Sequence, residues 1–180
     1  TRTGNDIDVI VATAGSTTNL QAEVRNETGD TLVKGTVVYI TGGAGNKALV
    51  SKALATSDAT SAGTFGMVTA DITNNHNGFV TITGKISGLN TSTYPEGTVL
   101  YLPPTTAGTY TNVKPQAPNH IVYVGTVIYS HVNQGTIQTR IQNGYELDEI
   151  HDVRITAVQN GDIIKYDSAL GNTKRFADLP

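Results

Sequence analysis

The chain alternates between two residue vocabularies along almost its whole length, and that alternation constrains the fold more than any other feature. Runs of Thr, Val, Ile and Tyr suit a pleated, half-buried surface. The Gly and Asn clusters between them suit tight turns. Gln21–Asn26 sets Ala22 and Val24 opposite Gln21, Glu23 and Arg25. Phe79–Ile86 sets Val80, Ile82 and Ile86 opposite Phe79, Thr81, Thr83 and Lys85. In Thr136–Gln142, Ile137, Thr139 and Ile141 face away from Gln138, Arg140 and Gln142. Asp8–Ala12, Thr36–Thr41, Thr64–Ile72, Thr98–Leu102 and His120–Ser130 read as further strands. Many short strands with turn chemistry between them predict an all-β fold, a sandwich or small barrel of short antiparallel strands.

The turns follow from the same vocabulary. Thr28-Gly29-Asp30, Pro95-Glu96-Gly97 and Ala107-Gly108 each mark a reversal, and Gly42–Asn46 reads as a loop of residues that tolerate positive φ. Asn74–Gly78, with an Asn-Gly pair between two β runs, is the strongest hairpin signal. Lys47–Thr56 fits a strand or a short helix; without a convincing N-cap, strand is preferred, with Ser57–Gly63 a loop of small residues. Pro103–Asn119 holds four of the six prolines and reads as irregular. No internal repeat is visible.

Composition shifts near Tyr145, where Glu146, Asp148, Glu149 and Asp152 crowd together. The expected organisation is a connecting segment over residues 1–20, a β core over 21–150 and a C-terminal extended appendix over 151–180. The appendix has too few apolar residues to fold alone and must pack on the core, a partner chain or further sequence. The chain begins at Thr1 rather than Met, so processing or a longer parent protein is expected.

Composition also excludes chemistry. With no Cys among 180 residues there is no disulfide framework, thiolate zinc site or cysteine nucleophile. No run approaches the roughly 20 apolar residues of a membrane helix. No charged and apolar leader opens the chain. A net charge of −3 with scattered Lys and Arg leaves no footprint for nucleic acid. His76, His120, His131 and His151 show no metal-ligand spacing. Glu146, Asp148, Glu149 and Asp152 offer oxygen ligands for Ca²⁺ but lack the order of an EF-hand loop, so a solvated connection is the better reading. Gly42–Gly45 lacks the ending of a phosphate loop. No serine-nucleophile motif occurs. No cofactor and no catalytic residue is expected. Tyr94 and Tyr110 are candidate glycan contacts, because a phenol ring packs on sugar C–H groups, although most of the tyrosines read as core. Asn26-Glu27-Thr28 and Asn90-Thr91-Ser92 match the glycosylation sequon.

Val24-Arg25-Asn26-Glu27-Thr28-Gly29 followed by Lys34-Gly35-Thr36-Val37-Val38-Tyr39 resembles the opening of a β module of bacteriophage tail fibre and virion structural proteins. Further pieces follow in order: Gly66-Met67-Val68, Asp71-Ile72, Asn77-Gly78, Gly84–Leu89, Glu96–Leu102, Pro115–Pro118, Val124–Val127 and Glu146–Val153. Asn160–Ser168 with Gly171 is similar to a second fibre element of the form GDxLxYDSxxG, with Phe176 standing near the place of its usual Trp. The resemblance implies a non-catalytic structural component of the virion, usually a homotrimer, in a tail fibre or tail-attached fibre that connects or presents host-recognition parts. The expected partners are further copies of the chain, other tail or capsid proteins and a host surface glycan. A capsid decoration or head-fibre protein and a receptor- or glycan-binding module are the alternatives. Ile163, Ile164, Tyr166 and Phe176 are the candidate subunit interface, since this small patch suits a trimer axis.

Overall fold

The computed structural model describes residues 19–150, 153–155, 159–166 and 176–179. The strand expected at Asp8–Ala12 lies outside them. Eight strands form one sheet: β1 (Leu20–Asn26), β2 (Val37–Ala44), β3 (Lys47–Lys52), β4 (Thr64–Val68), β5 (Asn77–Leu89), β6 (Val99–Tyr101), β7 (Val122–Tyr129) and β8 (Gly135–Asn143). The order is β1-β3-β2-β4-β5-β8-β7-β6, and β1 also pairs with β5. The first five strands therefore close into a barrel. All its ladders are antiparallel except β1–β3, which is parallel, a departure from the all-antiparallel expectation. A separate three-stranded sheet follows, with β10 (Ile163–Tyr166) and β9 (Val153–Arg154) flanking β11 (Phe176–Leu179).

Side-chain alternation on β2 and β4 creates two cores. Val38 and Val68 point into the barrel, with Val24, Leu32, Val50, Ile72 and Val80. Their neighbours Val37 and Met67 point outward into a second cluster with Ile86, Leu89, Leu100, Leu102, Val124, Val127 and Ile137. Consecutive strand residues face opposite sides, so a strand with two buried neighbours in sequence must be covered on both faces. Here β6, β7, β8 and the second half of β5 cover the outside of the barrel.

Local structure departs from the sequence reading at three places. Gly42 and Gly43 continue β2 and pair with Leu49 and Ala48, leaving Gly45-Asn46 as a two-residue turn with Gly45 at φ 62°. Within the expected Asn74–Gly78 turn, the reversal is made by Asn74-Asn75, with Asn75 at φ 62°, and not by the Asn77-Gly78 pair. Gly78 instead sits inside β5, where any Cβ would collide with the Ile72 side chain. Within the expected Ser57–Gly63 loop, Asp58–Ser61 forms one helical turn, α1. The Ser61 hydroxyl donates to Ser57 O (2.8 Å), the Thr60 hydroxyl to Leu54 O (2.8 Å), and Asp58 places an acid in the first turn, where the helix dipole favours it.

The hydrogen-bond frame also contains a repeat. Val37↔Met67 and Val38↔Gly66 correspond to Val99↔Thr126 and Leu100↔Gly125. Met67↔Thr81 and Val68↔Val80 correspond to Thr126↔Gln138 and Val127↔Ile137. Val24↔Gly78 corresponds to Leu89↔Gly135. Gly35 N donates to Val68 O (2.8 Å) and Val68 N to Thr36 O (2.9 Å); likewise Gly97 N donates to Val127 O (2.7 Å) and Val127 N to Thr98 O (2.9 Å). Gly66 and Gly125 are equivalent for one reason: a Cβ on either would strike the carbonyl of the next strand, at Thr81 or Gln138. The core is thus two copies of one β unit, and β5 serves both, last strand of the first and first strand of the second. Between matched residues every connection is shorter in the second copy, so no fixed sequence period betrays it. The first copy has β3 to close its barrel. The second has the Pro103–Asn119 loop in that place.

Candidate functional site

The structure brings Tyr94 and Tyr110 together. Their ring centroids are 6.0 Å apart and tilted by 52°, and the Tyr94 hydroxyl donates to Tyr110 O (3.1 Å). Both rings are half-buried against the outer core. Burial first, and Tyr94 second, push the Tyr110 phenol above its ordinary pKa. The pair lines a cleft of about 370 Å³ with Val33, Thr36 and Leu89. Tyr110 also forms one wall of a larger cleft, about 620 Å³, enclosed by the Pro103–Asn119 loop. That loop is anchored through its backbone. Ala55 N donates to Pro103 O (3.1 Å), Gly108 N to Ala53 O (2.7 Å), Val37 N to Gly108 O (2.9 Å) and His120 N to Ala55 O (2.8 Å), while Tyr101 and Thr111 exchange both bonds. Among the other tyrosines, Tyr101 and Tyr123 pack ring to ring at 5.1 Å and Tyr129 stacks on His131 at 5.6 Å.

The candidate interface residues occupy the second sheet. Ile163 and Ile164 are consecutive on β10, and both are exposed, at 57% and 45%. Tyr166 is 65% exposed and stands opposite Phe176 in the β10–β11 register. Asp167, Ser168 and Gly171 of the fibre-like element lie outside the described residues, as do His151 and Asp152.

The acidic stretch does local structural work. Glu146 caps the 3-10 turn Leu147–Glu149, and its own N–H donates to Glu149 Oε2 (2.7 Å). Sequence reasoning missed its main partner. His120 Nδ1 lies 3.1 Å from Asp58 Oδ1 and 3.4 Å from Glu146 Oε1, joining α1, the start of β7 and the exit from the core. Asn143 Nδ2 donates to Ala62 O in the same region. No sequence spacing announces this cluster, because its members come from three separate segments. Among the described residues no group of three or more His, Asp or Glu is placed to hold a metal ion. His76 Nδ1 contacts Asn74 O (2.9 Å), and His131 Nδ1 accepts the N–H groups of Asn133 and Gln134 (both 3.0 Å).

The two sequons resolve differently. Asn26 is completely buried. Its Nδ2 donates to Ile72 O (2.7 Å) and Asp30 O (2.8 Å), and its Oδ1 accepts the N–H (3.0 Å) and hydroxyl (2.8 Å) of Thr28. This side chain is a hub of the barrel and is not accessible to glycosylation. Asn90 makes the same local turn at the surface, accepting the N–H (3.2 Å) and hydroxyl (2.8 Å) of Ser92. Among the described residues no helix is long and apolar enough to cross a membrane. Compared with known proteins, the chain matches no family model and no curated protein.

Proposed function

We propose that the chain is a non-catalytic structural component of a bacteriophage virion, a segment of a homotrimeric tail fibre or tail-attached fibre in the extracellular particle. In this reading it connects or presents host-recognition parts, and its partners are further copies of itself and neighbouring tail or capsid proteins.

One observation carries the reading: outside Pro115–Pro118, the residues that make the resemblance and whose contacts are described are spent on the frame. Asn26 ties β1 to the Leu32–Ile72 bridge through its buried amide. Gly35 and Gly97, at φ 86° and 84°, sit in the turns that lead into the equivalent strands β2 and β6. Gly66 and Gly125 let neighbouring strands approach. Glu146 caps the exit from the core. These pieces hold register, which is what a spacer module requires, whereas Pro115, Gln116 and Ala117 line the loop cleft.

The exposed Ile163 and Ile164 support self-association. Consecutive strand residues face opposite sides, so both faces of β10 present an apolar group. Light scattering on the purified chain tests the assembly. A three-chain mass that falls to one chain in Ile164→Asp supports it, and a single-chain mass at every concentration contradicts it.

A further inference from the structure

We infer that the cleft inside the Pro103–Asn119 loop is a binding site for an acidic saccharide, a site that stands independently of the fibre reading. The repeat makes the loop informative. In the first β unit the equivalent connection is consumed by the fold, because β3 pairs with both β2 and β1. In the second unit the frame is complete without a closing strand, and the loop is fastened at Pro103, Gly108, Thr111 and His120. The segments between those anchors are held open around about 620 Å³, within the range of small-molecule sites, roughly 300–1,000 Å³.

The lining selects the chemistry. The side chains of Thr105, Thr106, Tyr110, Gln116 and Lys114 line the cleft, and among the described residues none of them makes a side-chain hydrogen bond or ion pair. Tyr110 and the 69% exposed Val113 add apolar surface. Hydroxyl and amide groups beside a ring match the alternating hydroxyl and C–H surfaces of a sugar. No carboxylate lines the cleft, and its only charge is Lys114. In a chain of net charge −3, an unpaired cation in a carboxylate-free cleft fits an anionic ligand. An extended peptide is disfavoured, because Thr111 already takes the Tyr101 edge of β6 that strand addition would use.

Isothermal titration of the full chain with tetragalacturonate and with neutral maltotetraose tests the assignment. The acidic tetramer binds at least about tenfold more tightly than the neutral one, and Lys114→Gln removes about that factor while Lys114→Arg retains it. Lys114 is exposed and makes no hydrogen bond or ion pair among the described residues, so its variants fold, and unchanged thermal melts verify this. Equal binding of the two sugars, indifference to Lys114→Gln, or no binding of tetragalacturonate overturns the assignment. None of these results depends on whether the chain is a trimer.

Discussion

Asn26→Ala removes a buried amide that joins three segments of the first barrel. The four hydrogen bonds of Asn26 do not all count equally. Ile72 O keeps the bond from Leu32 N (2.9 Å), and Asp30 O keeps a weaker one from the Thr28 hydroxyl (3.2 Å). The Thr28 N–H loses its acceptor, the buried Ile72 carbonyl loses one of two donors, and the amide leaves a small void. A net value of about 0.5–1.5 kcal/mol per bond, with solvent replacing part of the loss at Thr28, gives a cost of about 2–4 kcal/mol. At roughly 2–4 °C per kcal/mol for a chain of this size, Tm falls by roughly 4–16 °C. Asn90→Ala removes the same local turn from an exposed site, where water substitutes, and costs under about 1 kcal/mol. Thermal and urea unfolding followed by circular dichroism measure both variants. An Asn26→Ala cost below about 0.5 kcal/mol, or equal costs at the two sites, would refute the assignment of Asn26 as a hub.

Three further outcomes follow from the same structure. Gly66→Ala and Gly125→Ala both destabilise the core by about 1–3 kcal/mol or more, because each new Cβ meets the backbone carbonyl of the adjacent strand; a melt showing one of them neutral contradicts the equivalence of the two units. The Tyr110 phenol has its pKa raised by folding, so its contribution is fully present below the unfolded value of 10.0 and is lost as pH rises through the folded value. Tyr110→Phe therefore flattens the alkaline fall of stability, and an unchanged profile in unfolding titrations above pH 10 contradicts burial of that hydroxyl. Thr91→Ala, at the wholly buried counterpart of Asn26, removes the hydroxyl bond to Tyr129 O (2.8 Å) and costs about 1–2 kcal/mol in urea unfolding, where a cost near zero would break the parallel.

The strands were legible where one face is buried and the other is wet. In β1 the alternation of Ala22 and Val24 against Gln21 and Glu23 is the burial pattern itself. Lys47–Thr56 reads as strand from its neighbours, and its first six residues, Lys47–Lys52, form one, while Ala53–Thr56 lies beyond the strand's end. Glycine misled at three positions. Gly42, Gly43 and Gly78 read as turn formers, yet they lie in ladders, and Gly78 is there to make room for Ile72. The two cores could not be separated from sequence, because Val37 and Val38 are equally apolar and only the topology sends them to different clusters. The repeat was hidden because its identities are few and its loops unequal. Of the site residues, Tyr94 and Tyr110 were named from ring chemistry and do meet. The His120, Asp58 and Glu146 contact and the gathering of side chains around Lys114 depend on loop geometry that no local pattern encodes.

A reconstruction of the intact particle carrying this chain tests the central proposal most directly. The account predicts density for the double β unit on a tail fibre or tail-attached fibre, with three copies around one axis and the sheet bearing Ile163 and Ile164 turned toward it. Isolated single copies, or copies distributed over the capsid surface, would contradict it.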